Sequence, residues 1–415
     1  MTRPQTNYEV NSEWTTLEQE SVFLSQIGEE TSLSIEIAGQ SVEGNPIRLV
    51  SLGQPIEGTV LIVCLQHGNE PASREAALAQ IRDMAYSTDS KVLNYLSTHQ
   101  VVWIPTAVPD SFPDRRNNSN GVNPNRDYFT LAQPEPRAIV ETINQFQPNL
   151  IVDAHEYFTT GDDWWGATSQ FPGAHPEIAA WEDNIFTYGC DVLAGHGYTS
   201  KHYPINYSSR SSLAKYAPSR HTTGLLSETN ALHGDIHDRV DVQKIILDMV
   251  IDFHEENSSA LTAAQVASQT WARTSKGPDK FKIREQYLGR DYTETAYFAG
   301  YQLSEPLDPL LVEMHGIIVD EDLFVPIQQD ARLILPQILD PDSMDKQVEA
   351  ARVPWDEPEG GSTLRLRVRA GGETLDIAQL RVRTGGETRN VVRARTRVGG
   401  QVLDIFTDRK DGGWT

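Results

Sequence analysis

Cysteine is nearly absent: the chain of 415 residues has two, Cys64 inside the apolar run VLIVCL and Cys190 in FTYGCDVL. Two cysteines exclude a disulfide framework and a cysteine-rich metal cluster, so any bound metal must rely on histidine and carboxylate. No run approaches the ~18 consecutive apolar residues of a membrane span. The opening residues, MTRPQTNYEVNSEWTTLEQE, lack an apolar segment and a small-residue cleavage site. Conventional export is therefore not expected, and the default location is cytoplasmic. Cations are scarce as well: 35 Lys and Arg face 58 Asp and Glu, a net charge of −23. Phosphate recognition needs clustered cations, which argues against nucleic acid or an anionic membrane as a partner.

What is present is unevenly distributed. Residues 356–415 hold 11 Lys and Arg against 9 Asp and Glu, a balance of +2, which leaves −25 for residues 1–355. Gly-Gly pairs begin at Gly371, Gly385 and Gly399, 14 residues apart each time, and each follows alternating arginines: Arg367 and Arg369, Arg381 and Arg383, Arg395 and Arg397. Such regular spacing is an internal repeat. Alternation of Arg with Leu, Val or Ala has the period of a strand, and Gly-Gly suits a tight turn, so each unit reads as strand, turn, strand. The preceding VPWDEPEGGST has the composition of a linker, with a boundary near Pro358. A chain of this length also favours one large domain plus a small one. The expected organisation is a catalytic domain over 1–355 and an all-β repeat module over 356–415.

The body alternates short apolar runs with helical patterns, which predicts an α/β fold with a mixed, mainly parallel sheet flanked by helices. Candidate strands are 46–52, 59–66, 100–107, 149–155 and 223–229. Candidate helices are 71–86, with Pro71 in the first turn, and 134–146. In such sheets chemistry gathers where strands end.

In QHGNEPASRE, His67 and Glu70 follow the apolar strand 59–66. The H-x-x-E spacing across a strand-to-helix turn lets an imidazole and a carboxylate converge, and zinc accepts both at about 2.0–2.2 Å. By itself the spacing is unspecific, since a solvated turn capping the next helix satisfies it equally. A second strand, NLIVDAHEYF, delivers His155 at its exit as the third ligand, with Asp153 or Glu156 available to orient the ring. The remaining histidines have no comparable setting: His175, His196, His202, His221, His233 and His237 fall in loop-like sequence, and His315 in VEMHGIIV. Between the two segments lies SFPDRRNNSNGVNPNRDYF, too long and polar for a simple turn and of the kind that carries function. Its Arg116 and Arg126 are fixed cations able to polarise a carbonyl oxygen or clamp a carboxylate. TTGLLSETNA places Glu228 at another strand exit, where partial desolvation suits a general base.

His67-x-x-Glu70, the run from Arg116 to Arg126, Asp153-x-His155 and Glu228 occur in the order and approximate spacing of the zinc metallocarboxypeptidases of the carboxypeptidase A type, which residues 40–255 resemble. The stretch Ser41 to Ile47 resembles that family's first strand. The resemblance implies one zinc ion on His67, Glu70 and His155, with a fourth position for water. It also implies Glu228 as the residue that takes the water's proton and returns it to the leaving amine, and Arg116 at the developing oxyanion. Asn125 and Arg126 would bind the substrate's free C-terminal carboxylate. A tyrosine that closes over substrate is expected upstream of Glu228; Tyr203, Tyr207 and Tyr216 compete, with Tyr207 preferred. The chain departs from the family in reading N-R-D, which puts Asp127 beside the carboxylate pocket. Residues 256–355 read as a continuation of the catalytic body.

The R-V-R-x-G-G-E-T repeats resemble C-terminal repeats of minor tail and fibre proteins from bacteriophages that infect actinobacteria. That likeness implies an enzyme carried on a phage tail and acting on peptides or peptidoglycan stem peptides. Residues 356–415 would then bind other tail proteins or form a homo-oligomer. Two alternatives stay open: a zinc deacylase of N-acyl amino acids, resembling the aspartoacylase and succinylglutamate desuccinylase group, and a catalytically idle structural virion protein.

Overall fold

The computed structural model describes residues 3–168, 171, 173–203, 212–275, 279–284, 292–296, 298–340 and 346–354, and the strands of 366–406. The chain divides into two compact units, Met1–Pro354 and Trp355–Thr415.

The first unit opens with two helices, α1 (Asn7–Asn11) and α2 (Leu17–Glu30). Each starts at a threonine, Thr6 or Thr16, whose hydroxyl accepts from the N–H three residues on, while Glu9 or Gln19 reaches back to the threonine N–H. These reciprocal bonds satisfy donors that a helix start leaves open. There follow β1 (Ser34–Gln40), β2 (Pro46–Gly53), β3 (Gly58–Cys64), α3 (Ala72–Ala85), α4 (Ser90–Thr98), β4 (His99–Ile104), α5 (Pro134–Phe146) and β5 (Leu150–Tyr157). The chain continues through β6 (Trp164–Ala167), α6 (Pro176–Gly195), β7 (Ser200–His202), α7 (Leu213–Ser219), β8 (Thr223–Asn230) and the 39-residue α8 (Ile236–Thr274).

These strands form one sheet of order β1-β2-β4-β3-β5-β8-β6-β7. Its centre, β4-β3-β5-β8, is parallel. The pairs β1–β2, β2–β4 and β6–β8 are antiparallel, and β6–β7 is parallel. Helices cover both faces, so the central strands are buried twice over and read as continuous apolar runs. Alternate residues serve two cores. Ile62, Cys64, Val152, Ala154 and Leu225 pack with α3 and α8 residues such as Ala76 and Val250. Leu61, Val63 and Ile151 pack with Ile139 of α5 and Leu213 of α7.

All five expected strands are present, with ends shifted for identifiable reasons. β3 stops at Cys64 because Leu65 turns to φ 51°, which takes the chain out of the sheet before His67. β4 stops at Ile104, and Ala107 and Val108 instead donate back to the carbonyls of Cys64 and Leu65. β5 runs on to Tyr157 because β8 stays paired beside it. Pro71 sits just before α3 as its cap, and α5 occupies residues 134–146 as expected.

Two readings need correction. Ser41 to Asn45 is the turn between β1 and β2, closed by Ser41 N–H to Asn45 O at 2.9 Å and by Gly44 at φ 83°; only Pro46 and Ile47 enter a strand. Several histidines assigned to loops lie in or at regular elements: His202 in β7, His237 in the first turn of α8, and His175 and His196 at the ends of α6.

Beyond α8 come the antiparallel pair β9 (Asp279–Arg284) and β10 (Tyr292–Ala296) and then β11 (Phe298–Leu303). α9 (Pro309–His315), β12 (Phe324–Pro326), α10 (Leu335–Leu339) and β13 (Ala350–Pro354) complete the unit, with β11 central in a sheet of order β12-β11-β13. Among the described residues the second unit contains three antiparallel strand pairs: β14 (Leu366–Ala370) with β15 (Glu373–Ile377), β16 (Arg381–Thr384) with β17 (Glu387–Asn390), and β18 (Arg393–Val398) with β19 (Gln401–Phe406). Each repeat places two antiparallel strands as expected; the Gly-Gly pairs read as turns lie outside the described residues. Among the described residues no helix is long and apolar enough to cross a membrane.

Candidate metal centre and active site

The first two candidate ligands sit where β3 leaves the sheet. A Cβ on Gly68 would lie 2.3 Å from the backbone of Ser111, so only glycine lets the His67 turn approach the neighbouring loop this closely. Glu70 N–H donates to His67 O at 3.1 Å, folding the imidazole and the carboxylate to one side. Both side chains are buried.

The third comes from β5. Strand alternation puts Asp153 and His155 on one face and Ala154 and Glu156 on the other. The His155 ring lies 4.8 Å from that of His67. Glu70 spans the two, with Oε1 2.8 Å from His67 Nδ1 and Oε2 2.7 Å from His155 Nδ1. The far nitrogens face acceptors: His67 Nε2 lies 3.0 Å from Asn123 Oδ1, and His155 Nε2 lies 2.6 Å from Asp153 Oδ1. Both Nδ1 atoms are thus turned inward to the Glu70 carboxylate, the nitrogens by which the two rings would hold a metal. That arrangement calls for positive charge between the three side chains, whose ligand atoms lie within 4.8 Å of one another.

The ionisation equilibria of these groups are tightly linked. Burial alone would raise the Glu70 pKa, yet His67 and His155 together hold it far below the ordinary carboxylate range. Burial would lower His155, but Asp153 and Glu70 outweigh it and raise the ring well above its usual value. For His67 burial wins over Glu70, and the value falls.

Asp153, rather than Glu156, orients the His155 ring. Its carboxylate also accepts from Gln66 Nε2, from Asn125 Nδ2 at 3.2 Å and from Ala214 N–H of α7 at 3.3 Å. Tyr128 in turn donates its hydroxyl to Gln66 Oε1 at 2.5 Å.

The arginine loop is held by local side-chain bonds. Asp110 accepts from Ser41 Oγ at 2.5 Å, Asn45 Nδ2 at 2.9 Å and Glu43 N–H at 2.9 Å, tying the loop to the β1–β2 turn. Asn118 Oδ1 accepts from the N–H groups of Asn120 and Val122, both at 3.1 Å. Arg116, half exposed, donates to Glu70 Oε1 at 2.7 Å. Arg126 is half-buried; burial lowers its pKa, as does Arg116, while Asp153, Glu228 and Tyr203 pull the other way. The Asn125 amide is already engaged: Oδ1 accepts from Leu213 N–H at 2.8 Å, and Nδ2 lies 2.8 Å from His155 Nε2 as well as on Asp153. Asp127 is also committed elsewhere, accepting from Thr130 Oγ1 and from Gln133 N–H at 2.5 Å just ahead of α5.

Glu228 registers with His155 across the parallel β5–β8 pair and with Trp165 across the antiparallel β8–β6 pair. Burial pushes its pKa up to about 8; Glu70 and Asp153 add to the rise, and His155 and Arg116 oppose it. Of the three tyrosines, Tyr207 lies outside the described residues. Tyr216 is fully buried, with its hydroxyl 3.0 Å from His315 Nδ1, and so belongs to the core rather than to a lid. Tyr203 bonds its N–H to Gly166 O at 2.8 Å and sets its ring edge-on to Trp165.

Sequence reasoning missed Asn123, Gln66 and Tyr128, which act on the candidate ligands only through contacts the fold creates. The N-P-N-R spacing is the one signal that could have pointed to Asn123.

The donor set fits zinc: two imidazole nitrogens and a carboxylate, each oriented by a partner behind it, with Arg116 and Glu228 around the remaining side. The sequence pattern of the zinc carboxypeptidase family matches residues 23–293. This chain belongs to that family. A stretch of 96 residues is 34% identical to probable carboxypeptidase 2 of Arthroderma benhamiae and to carboxypeptidase 2 of Trichophyton tonsurans; it covers 23% of this chain and 18% of each relative. A metallo-carboxypeptidase from Burkholderia cenocepacia superimposes with a TM-score of 0.51 at 18% identity, over 58% of this chain and 69% of that one. Thrombin activatable fibrinolysis inhibitor gives 0.50 at 10% identity, over 64% and 81%. At these identities the likeness is one of fold.

Proposed function

We propose that the protein is a zinc-dependent carboxypeptidase that releases the C-terminal residue of peptides. The observation that carries this reading is the placement of Glu228 directly across the strand pair from His155, on the face where His67 and Glu70 converge. His67, Glu70 and His155 hold the zinc ion, which when bound polarises a carbonyl and makes water more acidic. Glu228, its pKa raised by burial, takes the water's proton and hands it to the departing amine. Arg116, half exposed beside Glu70, supplies positive charge to the developing oxyanion. Arg126 binds the terminal carboxylate, with Asn125 holding the neighbouring backbone and the His155 ring. A tyrosine of the segment before α7, Tyr207 by preference, closes over the bound residue.

The 14-residue arginine repeats support a further assignment: residues 356–415 attach the enzyme to a phage tail or to copies of itself, and peptidoglycan stem peptides are its substrate. The test is a substrate panel of short peptides with free or amidated C termini, D-residue forms, and N-acyl amino acids. Release of a C-terminal residue from free-ended peptides, lost on chelation and restored by zinc, is expected. Hydrolysis of N-acyl amino acids alone would make the protein a deacylase, and no zinc-dependent hydrolysis at all would leave the structural virion reading.

A further inference from the structure

Glu156 follows His155 directly, and strand alternation turns it to the opposite face of the sheet, toward α3 and α8. A carboxylate that is 1% accessible needs full compensation. Arg239 provides it bidentately, donating from Nε to Oε1 at 2.9 Å and from Nη2 to Oε2 at 3.0 Å. The N–H of Ala72, first residue of α3, donates to Oε2 at 2.9 Å. Ala72 lies two positions after Glu70, and the Glu156 N–H itself donates to Glu70 Oε2 at 3.3 Å. One residue therefore grips both segments that bear candidate ligands: the turn that carries Glu70 and the strand that carries His155.

Helix α8 braces the same point. Gln243, one turn beyond Arg239, donates from Nε2 to His155 O at 2.8 Å and to Thr229 Oγ1 at 2.7 Å. Trp14 covers the Arg239 guanidinium, 5.1 Å from its ring centroid. The side chains of Glu156, Arg239 and Gln243 lie behind the sheet from the cluster of His67, Glu70, His155 and Glu228, and the Glu156 N–H alone among these groups reaches Glu70.

We propose that the Glu156–Arg239 pair is a positioning clamp that sets Glu70 against His155 and thereby tunes the affinity and geometry of the metal centre. The clamp rests on the reading of His67, Glu70 and His155 as zinc ligands. Outer partners of metal ligands typically contribute 10–100-fold in affinity. Here the partner acts on the spacing of two ligands instead of on a ring nitrogen.

The experiment titrates zinc into the full-length apo-protein in competition with a chromophoric chelator, and records the visible spectrum of the cobalt-substituted form. Wild type should bind one equivalent. Glu156→Gln and Arg239→Gln should fold with a lowered apo melting temperature, since each leaves a buried partner unpaired, bind zinc about 10–100-fold more weakly, shift the cobalt bands, and lower kcat with KM unchanged. The double variant should be no weaker than either single one, because the pair acts as a unit. Wild-type affinity and an unshifted spectrum in a folded variant overturn the clamp. If Glu156→Gln does not fold, Arg239→Gln decides, since that side chain is only 18% accessible but reaches the surface. A wild type that takes up no zinc overturns the ligand reading, and the clamp with it.

Discussion

Glu228 stands opposite His155 in the parallel pairing of β5 and β8, and both side chains project from the same face of the sheet. The relationship follows from strand register: once Leu150 pairs with Thr223, each later pair is fixed, and parity decides which side chains share a face. A candidate metal ligand and a candidate base are thus placed together by the register of two largely apolar strands.

Asn125 separates two roles that sequence alone merges. Its amide bonds to Asp153 and Leu213 and touches His155, so Asn125→Ala should weaken zinc retention roughly tenfold as well as raise KM. Competition with a chelator checks the first effect and steady-state kinetics the second. A change confined to KM would show that Asn125 meets only substrate.

Gly68→Ala tests the close approach at the His67 turn. The added methyl would meet the Ser111 backbone at 2.3 Å, and neither segment is a flexible side chain that can swing away. The substitution should cost roughly 2 kcal/mol or more in stability and lower zinc content, read by thermal melting and metal analysis.

Stability should fall in mild acid. Burial holds His221 at about 4, His254 at about 3 and His315 at about 4, against an ordinary value of 6.5. Above pH 6.5 all three are neutral in both folded and unfolded chains. As pH drops below 6.5 the unfolded chain takes up protons that the folded one refuses, so stability is lost down to about pH 4, and to about pH 3 for His254. Each histidine contributes roughly 1–2 kcal/mol of loss at pH 5. Melting temperatures between pH 7 and pH 4.5 check this, and His254→Gln should make the decline shallower.

The central strands and the residues at their exits were legible because double burial leaves an apolar run whose first polar residues mark the end of the strand. His67 follows the end of β3, and His155 is the histidine of β5, two residues before its end. β1 was not identified although Leu33, Ile35 and Ile37 alternate with Ser34 and Glu36; the alternation is short, and as an edge strand with one neighbour it keeps Glu36, Ile37 and Gln40 exposed. Tyr216 competed for the closing role because it lies upstream of Glu228, yet α7 turns it into the core beside Tyr128 and Phe129. Glu156 was no better marked than Asp153 as a partner for His155; only the alternation of β5, together with α3 and α8 behind the sheet, separates their tasks.

The most direct test of the account is Glu228→Gln, measured for zinc content and for release of the C-terminal residue from a free-ended peptide. The account predicts one zinc per chain, as in wild type, and a loss of kcat of about 10²–10⁴-fold. Full activity in the zinc-loaded variant would contradict it.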